Sequence, residues 1–236
     1  MVTIKELEKQ SKKGCWSKFN YAWHYLGLYT AKPLLKTGIT PNQITIFWIL
    51  LEIFGAILLL GSYWYRVASI IIFNFVVTLL DFTDGNVARI KKITSSRGIY
   101  LEHIGLFVGT PLMLLFLGLG IYIRNGSINA LFFGIIGCIA LLYDKLFSIN
   151  PSWFDKKNIL KIQKVYYSSG LRKKNIVSHL SNLFRRGQPF NILLIGIILN
   201  YLEITLIIYT VASVLFMLYK LITQYRAAGK LDDKSL

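Results

Sequence analysis

Residues 112–123 read LMLLFLGLGIYI and show no polar face when they are drawn as a helix. A soluble helix of this length would carry polar residues along one side. Similar apolar blocks occupy residues 44–60, 67–80, 99–123, 128–143 and 189–221, the last with a polar break at Asn200. Because a helix rises only ~1.5 Å per residue, about 20 residues are needed to cross the hydrocarbon of a bilayer. The pattern predicts an all-α integral membrane protein.

The blocks and the loops between them predict six transmembrane helices. Their expected ranges are 41–60, 67–92, 98–123, 128–147, 189–199 and 202–225. Before them, aromatic residues at helical spacing lie among lysines from Trp16 to Lys36, which predicts an interfacial amphipathic helix at the headgroup level. We therefore divide the chain into an interfacial N-terminal part (1–40), a six-span membrane domain (41–225) with a basic cytoplasmic segment (151–188), and a cytoplasmic tail (226–236).

The basic residues are distributed unevenly between the two sides of the predicted membrane. The net charge is +16, and of the 27 Lys and Arg residues only Arg66 and Arg124 fall in loops predicted to lie outside. This asymmetry follows the positive-inside rule and predicts that both termini are cytoplasmic. We assign the charge to topology and to attraction by anionic membrane lipids, so nucleic acid is not an expected partner.

Acidic residues stand at the end of the second predicted span. Asp81, Asp84, Gly85 and Ala88 share one helical face, since positions three, four and seven apart are neighbours. Carboxylates in or near a bilayer usually face a cavity, form an ion pair or bind a cation. Glu102, near the start of the third span, can lie opposite them if the two spans form a hairpin. We predict that Asp81, Asp84 and Glu102 bind Mg²⁺, which prefers hard oxygen ligands.

Two residues beside the aspartates fit a phosphate ligand. Gly85 leaves room for a nucleotide to approach the helix backbone. Arg89, one turn further, can bind a phosphate oxygen or balance the carboxylates. The alternative is an internal ion-paired cluster at a helix end, formed by Asp81, Asp84 and Arg89. The glycine, alanine and arginine at fixed offsets favour the ligand site.

The motif resembles a known signature. Residues 81–89 read DFTDGNVAR, and after eight intervening residues come Gly98 and then Glu102. This pattern is similar to D-x-x-D-G-x-x-A-R-x8-G-x3-D-x3-D of the CDP-alcohol phosphotransferase (phosphatidyltransferase) family. Residues 38–45, GITPNQIT, look like the family's start of its first span. The resemblance implies transfer of a substituted phosphate from a CDP-alcohol to an acceptor hydroxyl with release of CMP, in phospholipid or glycan-phosphodiester synthesis.

The resemblance also implies cofactors, partners and further site residues. It implies two divalent ions, Mg²⁺ or Mn²⁺, and a homodimer, with the donor or the acceptor a lipid. The residues that it places on the nucleotide side are Gly85, Ala88, Arg89, Gly98, Asn42 and Thr45.

Two departures from the signature leave alternatives open. Glu102 replaces an aspartate and is one methylene longer, and Leu106 stands at the fourth acidic position, where the family has its base and a ligand of the second metal. Another base could act, for which His103 is the nearest candidate, or a metal-polarised acceptor could react without one. The chain could also be a catalytically degenerate member that binds CDP-lipid or scaffolds a partner. A third possible function is that of a small transporter, which would have no affinity for nucleotides.

Overall fold

A computed structural model of the chain describes residues 3–11, 18–93, 95–149, 183–184 and 191–232, which are helices joined by turns, with no strand among them. The helices are α1 (Ile4–Ser11), α2 (Lys18–Leu34), α3 (Pro41–Leu58), α4 (Tyr63–Ile71), α5 (Val77–Ile90), α6 (Ser96–Asn125), α7 (Ile128–Ile149), α8 (Ile192–Ile198) and α9 (Leu202–Asp232). A π-helical turn, Ile72–Val76, joins α4 to α5. The chain forms two compact units, Met1–Gly109 with Arg186–Pro189, and Thr110–Arg185 with Phe190–Leu236.

Within the described residues, five helical stretches have the length and composition to cross a membrane. They are Pro41–Leu58, Tyr63–Ile90, Ser96–Asn125, Ile128–Leu146 and Leu202–Thr223. The all-helical, membrane-type architecture is therefore confirmed. The predicted fifth span corresponds to α8, which has seven residues, or about 10 Å of helix. Residues 185–190 before it lie outside the described part, so the count of six spans stays a prediction.

The first span begins where the sequence predicts. Thr40 is the N-cap residue of α3, its side chain accepts from the Gln43 backbone N–H, and the Gln43 side chain accepts from the Thr40 N–H. This capping box satisfies two otherwise unpaired donors, and Pro41 occupies the first turn, where its missing N–H costs nothing. The fixed start places Thr45, Trp48 and Glu52 one turn apart on the buried side of α3.

The second span begins earlier than predicted. We expected residues 61–66 to form an outside loop, but α4 starts at Tyr63 and Arg66 is buried on it. Ser62 has an extended backbone conformation that allows a helix to start directly after it. The tyrosines and tryptophan that follow suit the membrane interface, so a helix can continue through them.

The two N-terminal helices pack against the second span. Residues of α2 contact α5, with the hydroxyl groups of Thr30 and Thr83 hydrogen-bonded at 2.5 Å. Phe19, Leu26 and Tyr29 of α2 are exposed. The structure thus gives a helix over much of the predicted interfacial segment, whereas Trp16 lies outside the described residues. The position of this segment at the membrane surface stays a prediction.

In the second unit, α6, α7 and α9 pack through small and polar residues. Gly118 and Gly134 approach each other so closely that a Cβ at Gly134 would lie 3.0 Å from the Gly118 Cα. Lys220 forms an ion pair with Asp144 at 2.7 Å. Close contacts between small residues are the usual means by which helices associate in lipid.

Candidate active site

The carboxylate of Asp84 is held by two donors from α3. Its Oδ2 accepts a hydrogen bond from the Thr45 hydroxyl at 2.6 Å and another from the Trp48 indole N–H at 2.8 Å. Hydrogen bonds to a charged acceptor are stronger than neutral ones. The capping box that fixes the start of α3 therefore also fixes the donors that orient Asp84.

Other charged residues of the motif surround Asp84. Asp81 and Glu102 lie within electrostatic range of it, and Arg89 lies within range of both Asp84 and Glu102. Asp81 and Asp84 are half-buried and Glu102 is exposed. We call Asp81, Asp84 and Glu102 the acidic cluster. Among the described residues, no three His, Cys, Asp or Glu side chains are arranged to hold a metal ion.

The side chain of Arg89 occupies the space beside Gly85. A Cβ on Gly85 would lie 3.1 Å from Arg89 Nη1, and Arg89 Nη2 donates to Asn86 Oδ1 at 2.8 Å. We predicted that this glycine opens the helix backbone to a nucleotide. In the structure the guanidinium group of Arg89 lies over this position, and the role of Gly85 beside a nucleotide stays a prediction.

The end of α5 is tied to the loop before α3. The Ala88 carbonyl accepts from the Ile93 N–H at 2.9 Å, and Lys92 has a φ of +55°, which together close the helix in a Schellman-type turn. Lys91 Nζ donates to the carbonyl oxygens of Thr37 and Ile39, each at 3.0 Å. These bonds fix the end of α5, from which Arg89 projects.

Gly98 and Asn42 meet where α3 and α6 begin. Gly98 N–H donates to Ser95 Oγ at 3.0 Å, and Asn42 Nδ2 lies 3.4 Å from the same oxygen. A Cβ on Gly98 would come within 2.9 Å of Asn42 Oδ1. The small residue at position 98 therefore lets the starts of α3 and α6 approach each other.

The part of the chain that contains these residues matches a family model. Residues 38–154 match the model described as CDP-alcohol phosphatidyltransferase. This part of the chain belongs to the CDP-alcohol phosphatidyltransferase family. The matched range includes all the site residues predicted from the sequence, and the family implies a phosphotransferase of lipid synthesis. No match was found among curated proteins.

Trp48 contacts the acidic cluster through its hydrogen bond to Asp84, although it was not predicted. It is almost fully buried, and a Cβ on Gly105 would overlap its ring. A buried indole N–H requires an acceptor, and that requirement was the available signal. A tryptophan three residues after Thr45, on the same helical face, could have been paired with the acidic residues of the next span.

His103 and Leu106 lie on α6 beyond Glu102. His103 Nδ1 is 2.6 Å from the Ile99 carbonyl oxygen. Because a carbonyl oxygen can only accept, Nδ1 carries the proton and the lone pair of the neutral ring is on Nε2. Leu106, at the family's fourth acidic position, is exposed. The role of His103 as a base stays a prediction.

His24 of α2 gives the protein a predicted pH dependence. Burial, and then the positive charge of Arg89, lower the pKa of His24 from its ordinary value of 6.5, against opposing effects of Glu8 and of an Asn86 hydrogen bond. Below about pH 6.5, His24 in the unfolded chain binds a proton, whereas His24 in the folded protein binds one only at a lower pH. The free energy of unfolding should therefore be fully retained above about pH 6.5 and fall on acidification. Thermal unfolding in detergent between pH 8 and pH 5.5 measures this.

The control is His24→Gln, which should weaken the dependence between pH 6.5 and 5.5 that we assign to His24. An equal dependence in the variant and the wild type would show that other groups cause it.

Proposed function

We propose that the protein transfers a substituted phosphate from a CDP-alcohol to an acceptor hydroxyl with release of CMP, and that the reaction requires a divalent metal. The products would be phospholipids or lipid- or glycan-linked phosphodiesters. The observation that most supports this is the position of Asp84. It is held by two donors from α3, with Asp81, Glu102 and Arg89 in electrostatic range, inside a domain of this family.

The donor chemistry of the acidic cluster fits Mg²⁺ or Mn²⁺. Asp81 and Glu102 lie within electrostatic range of Asp84, so the acidic cluster groups three carboxylates, which are the hard oxygen ligands that Mg²⁺ prefers. Mg²⁺ is bound in proteins by a few carboxylates together with substrate phosphates. We propose that Asp81, Asp84 and Glu102 would hold the ion. The second ion that the family resemblance implies would lack the carboxylate that Leu106 replaces.

The remaining roles follow from the chemistry of the transfer. A bound divalent ion would withdraw charge from the donor diphosphate. Arg89 binds a diphosphate oxygen, and Asn42, Thr45, Gly85, Ala88 and Gly98 line the nucleotide side. The acceptor oxygen bonds to the β-phosphorus while the bond from that phosphorus to the CMP oxygen breaks, and CMP leaves with the electron pair.

The acceptor proton must be removed during this transfer. His103 Nε2 is the candidate that receives it. Because phosphoryl transfer depends mainly on positioning and charge neutralisation, a chain with Leu106 at the fourth acidic position can still turn over.

We further propose the setting of the reaction. The chain would span the membrane several times with both termini cytoplasmic and would act as a homodimer. The acidic cluster lies toward one end of its spans, so a soluble substrate could meet a lipid substrate there. Cysteine labelling of single-cysteine variants from each side of sealed vesicles would check the orientation.

An assay of CMP release tests the proposal. Purified protein in lipid nanodiscs is given a CDP-linked lipid or a CDP-linked polyol, each with a panel of hydroxyl acceptors. We expect CMP only when donor, acceptor and Mg²⁺ are all present, with loss on EDTA treatment and recovery when Mg²⁺ is restored. CMP release that is unaffected by EDTA would contradict the metal requirement.

Leu106 supports a second candidate function, that of a degenerate family member which binds CDP-lipid without turnover. Calorimetric titration with a CDP-alcohol separates the candidates. Saturable binding without CMP release from any donor would favour the degenerate member. Absence of any binding would contradict both functions and favour a transporter.

A further inference from the structure

We propose that Asn86 is a positioning residue for Arg89 and that it transmits the placement of the N-terminal helix α2 to the phosphate-binding site. The inference rests on the proposed function, because it assumes that Arg89 binds the donor diphosphate. Asn86 occupies one of the variable positions within the motif, between Gly85 and Ala88.

Both ends of the Asn86 side chain are engaged. Asn86 is 0% exposed. Its Nδ2 donates to the His24 carbonyl oxygen at 3.1 Å, and its Oδ1 accepts from Arg89 Nη2 at 2.8 Å. A carbonyl only accepts and a guanidinium only donates, so just one orientation of the amide satisfies both partners. A buried amide that turned over would lose both bonds.

The close approach of α2 provides the His24 carbonyl. Gly27 lies against α5, where an added Cβ would come within 3.0 Å of Asn86 Nδ2 and 3.2 Å of the Phe82 backbone. The side chain of His24 is also held by α1, because its ring lies 3.4 Å from Ser11 Oγ, and Ser11 is itself buried. The carbonyl that orients Asn86 is thus held from two directions.

The bond from Asn86 affects how Arg89 can act. Arg89 lies within electrostatic range of Asp84 and Glu102, so an unrestrained guanidinium group could pair with those carboxylates. Such pairing would remove negative charge from the acidic cluster and would withdraw Arg89 from the donor. With Nη2 bound to Asn86, the group stays over Gly85, where its remaining N–H groups can meet a diphosphate.

The test compares donor affinity in full-length variants. CDP-glycerol, a water-soluble CDP-alcohol, is titrated calorimetrically into detergent-solubilised protein with excess Mg²⁺. We expect Asn86→Ala to raise the Kd about tenfold, the effect of losing a hydrogen bond to a charged group. The control is Thr83→Val, which removes another fully buried polar group of α5 that faces α2. It should change the Kd less than about threefold, because Thr83 has no bond to Arg89.

A double-mutant cycle separates positioning from packing. In an Arg89→Ala background, titrated at higher donor concentration, adding Asn86→Ala should leave the Kd unchanged, since its effect acts through Arg89. Equal losses from Asn86→Ala and Thr83→Val would overturn the proposal, and so would an undiminished effect of Asn86→Ala in the Arg89→Ala background.

A second variant decides the matter if Asn86→Ala does not fold. Gly27→Ala leaves Asn86 in place but pushes against its Nδ2 from α2, and it should raise the Kd severalfold. An unchanged Kd in this variant would overturn the proposal. If the wild type binds neither CDP-glycerol nor a CDP-linked lipid, the proposed function itself fails; if it binds only the CDP-linked lipid, the variants are compared with that donor. If the wild type binds and no variant differs from it, only the role of Asn86 fails.

Discussion

Asp84→Asn is expected to lower CMP release by more than about 100-fold. Removing an outer partner of a metal site typically costs ~10–100-fold in affinity or activity, and Asp84 is proposed as a direct ligand. The asparagine keeps an oxygen for the Thr45 hydroxyl and the Trp48 N–H, so the fold should survive while the charge is lost. The measurement is the initial rate of CMP formation under saturating donor, acceptor and Mg²⁺.

The matched control is Asp144→Asn in the other compact unit. It also removes a partly buried carboxylate from an apolar helix, and it breaks the ion pair with Lys220 without touching the acidic cluster. Its turnover should stay within about threefold of the wild type, because partly exposed ion pairs contribute ~1 kcal/mol or less. If Asp84→Asn turned over as fast as Asp144→Asn, the assignment of Asp84 would be wrong.

Gly105→Ala is expected to lower both stability and turnover. The new Cβ would overlap the ring of Trp48, and overpacking of a filled interior typically costs ~1–3 kcal/mol. A displaced Trp48 would also lose its hydrogen bond to Asp84. The sign of the change in stability is informative, because replacing glycine by alanine within a helix otherwise stabilises the helix by roughly 0.5–1 kcal/mol. Thermal unfolding in detergent and CMP release measure the two effects.

Gly55→Ala provides the comparison within a membrane-spanning helix. Its added Cβ would lie 3.6 Å from the Ile72 side chain, which is ordinary van der Waals contact, so the change should be neutral or slightly stabilising. Should Gly105→Ala melt at the same temperature as Gly55→Ala, α6 does not pack against Trp48 as described.

The membrane spans could be predicted from the sequence because each depends mainly on residues that are adjacent along the chain. A run of about 20 apolar residues is needed whatever its neighbours are, and the capped start at Thr40 and Pro41 depends only on adjacent residues. The start of α4 at Tyr63 was not predicted. It depends on how the chain turns between helices, where aromatic and apolar residues fit a helix or a loop equally well.

The sequence predicted candidate site residues but not their contacts. The motif indicated which residues of α5 share a face, since spacing along a helix fixes it, whereas the nearness of Glu102 of α6 was predicted only if the two spans form a hairpin. It could not indicate that Trp48 donates to Asp84, which depends on the rotation of α3 against α5. Nor could it show that Arg89 covers Gly85, because the conformation of a long side chain is selected by partners such as Asn86, whose own position depends on α2.

The bonds from Lys91 to the Thr37 and Ile39 carbonyl groups affect how α3 and α5 can move in bilayers of different thickness. Transmembrane helices adjust to a thicker or thinner hydrocarbon layer by tilting or kinking, among other means. A relative shift of α3 and α5 would break both bonds and also the bonds from Thr45 and Trp48 to Asp84, so we expect the two helices to tilt together. The height of the aspartates relative to the start of α3 would then be set by the protein rather than by the lipid.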